Sequence, residues 1–517
     1  MALKILLKAA SSVLVILCGA SSLATAGQEV TAQKGPQAES AGSPRNLLIR
    51  SYFASQQLVP GERAMALMYL ALTAGAIEPA YNRLWSEELF HSALQLPRDW
   101  NRVAYEKNAL EALSQSDPQL ALQLFSQMDD PIPTESGKFP EDVRAFAARR
   151  VFGTYWNLKG PAGLEEITSQ ARHLGDTGQY PYVAMIAIVR DLAPSSQNEA
   201  EAVFNEAVGY FSRGSRFGSA NPDFVQFLNG VWDVLPSTLK HMALGAAVDQ
   251  LTRESSSDSN FRGRSRTRSK VVEFKDRNRQ LLFELLPRIE EVDPQWAKRI
   301  TDKESWLTGA TEPGGVRRSD SALIPDADAA PPDRLGAAEN LLIQQQTLSQ
   351  VEQEVNHDPD AALITSGSLT NPEFEAIALA DIAVGFAKKD PAKGGKLLGK
   401  ARDIISTLKG TPGKVAALFA VAKAEYALGN RKGMATSWSR AVDLGEELFQ
   451  QDMETHPGGL AYQAGSFNTL EEMLRFGGAV DPQMALAALG GMQNQLLQVY
   501  LPIFAADGIF RHDQLHR

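Results

Sequence analysis

Paired carboxylates are the first candidates for chemistry in this sequence. Asp129 and Asp130 open the stretch "DDPIPTESGKFPED", and Glu141 and Asp142 close it. Two positioned carboxyl groups could act as a general acid and a general base. The same residues are also typical of helix caps and first turns, where free backbone N–H groups stabilise a carboxylate. We interpret them as caps and expect no catalytic residue among them.

The histidines do not form a metal-binding or catalytic motif. Of the seven, His512 and His516 are spaced so that two imidazoles on one helix could share a metal ion, but they lie where a terminal helix frays. The patterns of a zinc protease, a nucleophilic serine, a phosphate loop and a dinucleotide site are missing from the sequence. The sequence therefore predicts no enzyme, no metal site and no cofactor.

Clustered basic residues raise the question of an anionic partner. The segment 253–270 alternates arginine with small polar residues, and Lys393, Lys396 and Lys400 share one face of a helical pattern. Such residues could bind an acidic polymer, but solvated loops and helix faces have the same composition. The chain holds 51 Lys and Arg against 61 Asp and Glu, a net charge of −10. Because an acidic chain repels nucleic acid, we expect no nucleic-acid partner.

The first 26 residues have the pattern of a secretory signal peptide. Lys4 and Lys8 precede a short apolar stretch, and residues 24–26 form an A-x-A cleavage site. We expect cleavage after Ala26 and a periplasmic or secreted protein of bacterial type. The single cysteine, Cys18, would leave with the signal peptide, so the mature chain would fold without disulfides. We expect no membrane span after cleavage, since a span needs about 20 apolar residues.

Asp-Pro pairs divide the apolar pattern of the mature chain. Five of them, at Asp117, Asp293, Asp358, Asp390 and Asp481, interrupt a helical pattern. An Asp side chain accepts hydrogen bonds from the free N–H groups at a helix start, and Pro fits the first helical position. The residue before a Pro is also disfavoured in a helix. Each pair is therefore predicted to end one helix and begin the next, which makes a helical hairpin.

The predicted hairpins recur with similar spacing. The segments 374–405 and 414–445 match in their alanines and in their large apolar residues. Similar spacing surrounds Asp117, Gly160 and Asp481. Strand signals are nearly absent, because no sustained two-residue alternation lies between turn clusters. The sequence predicts an all-α fold, an α-solenoid of roughly ten antiparallel helical hairpins.

The stretch "GNRKGMATSWSRAVDL", residues 429–444, carries a resemblance to a known family. Gly429, Trp438 and Ala441 resemble the signature of a tetratricopeptide repeat, with Met434 in place of the usual alanine. The resemblance extends to the neighbouring unit, so that it covers residues 374–445. It implies stacked antiparallel helix pairs that form a superhelix with a concave binding face. It implies no catalysis.

The same resemblance implies candidate binding residues. In the unit 148–174, tetratricopeptide geometry would place Arg149 and Asn157 on the concave face of the first helix, with Arg150 adjacent. An arginine and an amide there could hold a peptide backbone or a terminal carboxylate. We therefore predict a protein or peptide partner with Arg149, Arg150 and Asn157 as binding residues.

Changes in composition divide the chain into segments. A small and polar leader follows the signal peptide and is predicted to be disordered, and the polar stretch 253–270 is predicted to be a surface loop. A stretch rich in Pro, Ala, Gly and Asp is the predicted linker between two helical-repeat blocks. The predicted boundaries are 1–26 signal peptide, 27–43 leader, 44–307 N-terminal block, 308–335 linker and 336–517 C-terminal block.

Two classes of function are compatible with this organisation. An exported helical-repeat protein is expected to act as a protein–protein interaction scaffold or adaptor in the cell envelope. The alternative is a glycan-active or cell-wall-associated enzyme with an α/α helical fold, which needs two positioned carboxylates. Such enzymes also use aromatic platforms, but Trp156 and Trp438 fall at predicted core positions. A purely structural spacer would have a groove without polar or aromatic anchors.

Overall fold

The computed structural model describes residues 42–130, 143–214, 217, 220–253, 263–266, 271–274, 276–303 and 337–516. Almost all of these residues are helical, so the predicted all-α fold class is confirmed. The predicted signal peptide and the predicted linker 308–335 lie outside the described residues, as does most of the predicted leader.

The helices fall into two groups on either side of residues 304–336. The first group is α1 Pro44–Ser55, α2 Pro60–Ile77, α3 Pro79–Ala93, α4 Trp100–Ser116, α5 Pro118–Phe125, α6 Val143–Lys159, α7 Leu164–Thr177, α8 Tyr182–Leu192, α9 Gln197–Ser212, α10 Ala220–Val231, α11 Ser237–Arg253, α12 Arg277–Val292 and α13 Pro294–Lys303. The second group is α14 Ala337–Val355, α15 Pro359–Ser366, α16 Pro372–Phe386, α17 Pro391–Thr407, α18 Pro412–Ala427, α19 Arg431–Thr455, α20 Phe467–Val480, α21 Pro482–Gly491 and α22 Gln495–Leu515. None of the described helices is long and apolar enough to cross a membrane.

The Asp-Pro pairs begin helices, as predicted. Asp390 accepts a hydrogen bond of 3.0 Å from the backbone N–H of Lys393, and Pro391 is the first residue of α17. Asp117, Asp293, Asp358 and Asp481 accept equivalent bonds at the starts of α5, α13, α15 and α21. Each pair thus separates two antiparallel helices, because the free N–H groups of the second helix are satisfied by the carboxylate.

The predicted surface loop 253–270 is wrong in part. Strand β1, Gly263–Arg266, pairs antiparallel with strand β2, Val271–Phe274, and the register places Gly263 opposite Phe274. The loop was predicted from the polar composition of the segment. The valines and Phe274 of β2 favour a strand, whereas β1 has no β-branched or aromatic residue. Residues 254–262 and 267–270 lie outside the described residues.

The helix pairs stack in a continuous row. The first helix of each pair packs against the first helix of the next pair, in the spatial order α14, α16, α18, α20, α22, α2, α4, α6, α8, α10 and α12. The second helices pack against their own first helices. The row is therefore a helical repeat in which the C-terminal hairpins precede the N-terminal ones. The pairs at its two ends flank residues 304–336.

The last and the first helix of the described chain together form one hairpin of this row. Helix α22 packs between α20 and α2, and α1 lies along α22 in the position that a second helix holds elsewhere. Aromatic rings fill the contact. The ring of Tyr69 on α2 lies 4.9 Å from that of Phe504 and 6.2 Å from that of Tyr500, both on α22. The ring of Phe467 lies 5.4 Å from that of Tyr500.

A buried carboxylate completes this junction. Glu62, on α2, is 3% exposed. Its side chain accepts a hydrogen bond of 2.7 Å from the backbone N–H of Ala461 and another from the hydroxyl of Tyr500. The hydroxyl of Tyr500 also lies 2.8 Å from the backbone carbonyl of Glu62. Burial raises the pKa of Glu62 although both hydrogen bonds oppose the rise. A buried carboxyl group is costly unless its hydrogen bonds are made, so this contact selects one arrangement of the two halves.

Two glycines allow α20 and α22 to touch through their backbones. A Cβ atom added at Gly508 would lie 2.2 Å from the carbonyl oxygen of Arg475. One added at Gly478 would lie 2.8 Å from the carbonyl oxygen of Ala505. Contacts this short require the backbone to move, so only glycine permits the observed approach.

The substitution Gly508→Ala is expected to destabilise the chain by about 2–3 kcal/mol, because the added methyl group pushes α20 and α22 apart. Chemical denaturation followed by circular dichroism measures the loss. The matched control is Gly395→Ala in α17, where an added Cβ atom meets nothing within 4 Å. That variant is expected to be more stable by about 0.5–1 kcal/mol through helix propensity alone. Equal effects of the two variants would contradict the close approach.

Candidate functional site

Charged side chains occupy the free edge of successive first helices in the C-terminal half. We call Glu352 on α14, Asp381 on α16, Lys423 on α18 and Glu472 on α20 the charged groove. Glu352 and Glu472 are exposed, whereas Asp381 and Lys423 are partly buried. Each of these residues lies on a first helix of the row, and the first helices pack one against the next.

The composition of the helices leaves few places for these charges. Helix α16 buries alanines at 376, 378, 380 and 383, and α18 buries alanines at 417, 420, 422 and 424. Small residues let the helix backbones approach closely. Asp381 is the single charged residue of α16 beyond its first turn. A lone charge in such a helix can lie only on the edge that no neighbouring helix covers.

Asp381 and Lys423 form an ion pair across α16 and α18. The Nζ atom of Lys423 lies 3.8 Å from the Oδ1 atom of Asp381 and 5.1 Å from the centre of the Phe419 ring. Burial raises the pKa of Asp381, and the nearby Lys423 opposes this rise without cancelling it. The carboxylate is therefore held in a poorly hydrated position that its partner compensates only in part.

Glu352 shows that these charges surround a common space. Its side chain is accessible to water, yet desolvation by the surrounding protein is the largest cause of its raised pKa. Repulsion from Asp381 and from Glu472 adds to the rise, and Lys423 opposes it. Interactions between exposed charges are screened beyond about 10 Å. The pKa of Glu352 therefore responds to each of the other three side chains, although α14 and α20 are not neighbours in the row. An accessible but desolvated group is typical of a groove.

A second ion-pair cluster lies beside the groove on α20 and α22. Arg475 contacts Glu471 at 2.7 Å and Asp507 at 3.2 Å, and Arg511 contacts Asp507 at 2.9 Å. Burial raises the pKa of Glu471 to about 7, with Arg475 opposing the rise. The cluster links the helix of Glu472 to the junction helix α22, so it fixes one wall of the groove.

The groove can hold a positively charged group. In the described part of the chain neither Glu352 nor Glu472 has an ion-pair partner within 4 Å. Asp381 is paired with Lys423. A cation placed between these carboxylates would lower their mutual repulsion. It would enter a partly desolvated site, where an ion pair is stronger than on an open surface. A carboxylate-lined groove of this kind suits lysine or arginine side chains.

The predicted binding residues Arg149, Arg150 and Asn157 all lie on α6 and are exposed. Gly153 lies between them, and a Cβ atom added there would meet nothing within 4 Å. This face of α6 is therefore open to solvent. The three residues are on a different first helix from the charged groove, so the structure does not bring the two sets together. Their role in binding stays a prediction.

The other candidates for chemistry have structural partners. Asp129 pairs with Arg102 at 2.7 Å, and Asp130 pairs with Arg144 at 2.6 Å. They follow α5, and residues 131–142, where a helix could begin after them, lie outside the described residues, so their interpretation as caps stays a prediction. An ion pair across the chain has no signal in the local sequence. Glu141 and Asp142 lie outside the described residues.

The histidines, lysines and tryptophans of the sequence patterns also have defined positions. The Nδ1 atom of His512 lies 2.9 Å from the carbonyl oxygen of Ala479. Among the described residues, no group of three or more His, Cys, Asp and Glu side chains could hold a metal ion. Lys396 and Lys400 are exposed. Trp156 and Trp438 are buried core residues, as predicted.

The charged groove itself was missed at the sequence level. The sequence indicates such a groove only through a single charged residue among small and apolar residues, as in α16. That signal does not reveal which helices become neighbours, so the four residues could not be grouped. Comparisons with protein-family models, with curated proteins and with solved structures found no match to this chain.

The ionisation of Glu471 is expected to make stability depend on pH. Its pKa is about 7 in the folded chain against an ordinary value of 4.5. Because the folded state binds this proton more tightly, the free energy of unfolding falls as the pH rises from 4.5 through about 7. Relative to Glu471→Gln, the free energy of unfolding of the wild type should fall by about 3 kcal/mol across this range. Urea denaturation of both proteins at a series of pH values measures it. A difference that stays constant with pH would contradict the raised pKa.

Proposed function

We propose that this chain is an exported helical-repeat protein that binds a partner protein in the cell envelope. The charged groove is the observation that carries the proposal. Helical repeats bind extended segments along the face formed by their first helices, and the groove residues lie on first helices. At both ends of the Asp381–Lys423 pair the groove has a carboxylate for which no ion-pair partner lies among the described residues.

The partner is a protein segment rich in lysine or arginine. The carboxylates of the groove outnumber its single lysine, so its electrostatic potential is negative. Such a groove attracts a basic segment over several ångströms and repels an acidic one. Lys423 belongs to the same groove as the carboxylates. Its ammonium group binds one acidic or polar group of the partner, which sets the register of the bound segment.

The finer resemblance to a tetratricopeptide repeat belongs to this proposal. Gly429 has a φ of +78° between α18 and α19, where the repeat signature has its turn glycine. A Cβ atom added at Gly394 would lie 3.1 Å from the carbonyl oxygen of Ala383, so a small residue is required at that helix crossing. Trp438 is buried and donates a hydrogen bond of 2.9 Å to the carbonyl oxygen of Met473. These positions support repeat units of the tetratricopeptide type.

Export and location rest on the sequence pattern of residues 1–26. A positively charged start, an apolar stretch and an A-x-A site are typical of a cleaved signal peptide. We therefore place the mature protein in the periplasm or outside the cell. Cleavage after Ala26 would leave residue 27 at the new N-terminus, which N-terminal sequencing of the exported protein tests directly.

A second candidate function is favoured by the same carboxylates. Glu352 and Asp381 have raised pKa values, and Glu352 also interacts with Glu472. A glycosidase uses a protonated carboxylic acid facing an ionised carboxylate. A glycan-active enzyme with an α/α helical fold would use the groove as its active site. Release of reducing ends from cell-wall glycan by the wild type, lost in Glu352→Gln, would favour this function over the first.

Binding of a basic peptide tests the proposed function. A fluorescein-labelled octalysine is titrated with the purified chain, and binding is followed by fluorescence anisotropy. The double variant Glu352→Gln, Glu472→Gln removes the two groove carboxylates that have no ion-pair partner in the described residues. It is expected to weaken binding about fivefold, because each partly screened charge contributes up to about 1 kcal/mol.

A matched variant separates the groove from the general acidity of the chain. Asp443→Asn, Glu199→Gln removes two exposed carboxylates from second helices, α19 and α9. It changes the net charge by the same amount and is expected to leave the affinity within about twofold. Equal weakening by both double variants would show that octalysine binds the whole surface, which would contradict the groove.

A further inference from the structure

A pocket of about 440 Å³ opens between α17, α18 and α19. Its floor is formed by Leu418, Val421 and Glu425, on the face of α18 that points away from Lys423. The pocket is therefore distinct from the charged groove, and it lies against second helices rather than along the row of first helices. Its volume is in the range of sites that bind small molecules.

Three cationic side chains contribute to the wall of this pocket. Arg402, Lys432 and Arg440 line it from α17 and α19. Lys432 and Arg440 are exposed, and within the described residues neither has an acidic partner within 4 Å. Arg402 pairs with Glu425. Within the described residues the wall thus keeps two positive charges without an acidic partner, beside the apolar side chains of Leu418 and Val421, which favours an anion.

Glu425 supplies an independent indication of a ligand. Its side chain is 2% exposed. One oxygen pairs with Arg402, while the other, Oε2, has no hydrogen-bond partner among the described residues. A buried acceptor without a donor is costly. Glu425 lines the pocket, so a ligand whose donor reaches Oε2 would satisfy this oxygen.

Gly433 brings the start of α19 against the same carboxylate. A Cβ atom added at Gly433 would lie 2.6 Å from the Oε1 atom of Glu425. Asn430 caps the helix by accepting a hydrogen bond of 3.0 Å from the N–H of Gly433. The positive end of the dipole of α19 therefore adds to the field of Lys432 and Arg440 in the pocket.

We propose that this pocket binds a small hydroxylated anion, with sugar phosphates as the chemical class. Lys432 and Arg440 hold the anionic group, and a hydroxyl of the ligand donates to Oε2 of Glu425. A hydroxyl fits better than an ammonium group, because the surrounding cations repel a positive charge. The apolar floor of Leu418 and Val421 contacts the carbon skeleton. This site goes beyond the protein-binding groove and does not depend on it.

Isothermal titration calorimetry of the full chain tests the site with glucose 6-phosphate, inorganic phosphate and glucose. Glucose 6-phosphate is expected to bind at least about fivefold more tightly than phosphate, since only it satisfies Glu425, and neutral glucose is expected not to bind. Arg440→Gln should weaken glucose 6-phosphate binding about tenfold. Arg440 is exposed and has no ion pair in the described residues, so its replacement leaves the fold intact.

Arg50→Gln, which removes an exposed arginine from α1, is the matched control and should leave the affinity unchanged. The proposal is overturned if glucose 6-phosphate does not bind, or if Arg440→Gln and Arg50→Gln have the same effect. Equal affinity for inorganic phosphate and glucose 6-phosphate would also overturn it, because the hydroxyl would then have no role.

Discussion

The contact of Glu62 with Tyr500 and Ala461 is the constraint on which the order of the helices depends. It joins the second helix of the described chain to its last one. A buried carboxyl group tolerates only the geometry in which its hydrogen bonds are made, so this contact excludes other registers of α2 on α22. The aromatic rings of Tyr69 and Phe504 supply apolar contact around it. The N-terminal hairpins therefore continue the row that the C-terminal hairpins begin.

This junction also supports the charged groove. Helix α22 is held by α1 and α2 on one side, and on the other side it packs against α20 through Gly478 and Gly508. The ion pairs of Arg475 and Asp507 then connect α22 to α20, the helix that carries Glu472. Asp381 and Glu352 keep raised pKa values in this groove, which is unfavourable for stability. Charges kept in positions that cost stability are typical of binding and catalytic sites.

Much of the local structure could be predicted from the sequence, because its causes are local. Asp390 and Pro391 start a helix through one side chain and one ring, and both effects act within a few residues. The order of the row could not be predicted, since the contact of Glu62 with Tyr500 joins distant parts of the chain. The strands at Gly263–Arg266 and Val271–Phe274 were not predicted, because the segment is polar and the first strand has no β-branched or aromatic residue.

The candidate site could be predicted less well than the fold. Arg149 and Asn157 on α6 were chosen as binding residues by applying tetratricopeptide geometry to the unit 148–174, and both are exposed. The groove residues Asp381 and Glu472 belong together only once the stacking of α16, α18 and α20 is known. A charge on a free helix edge has the same sequence pattern as any solvent-facing residue, so spacing alone does not distinguish the two.

Cleavage between the two halves of the chain tests the continuous row most directly. A protease site is inserted within residues 308–335 of the full chain, the purified protein is cleaved, and the products are separated by size-exclusion chromatography. If α1 and α2 pack on α22, the two fragments must elute together at the position of the uncleaved protein. Fragments that separate under native conditions would contradict the junction and with it the order of helices described above.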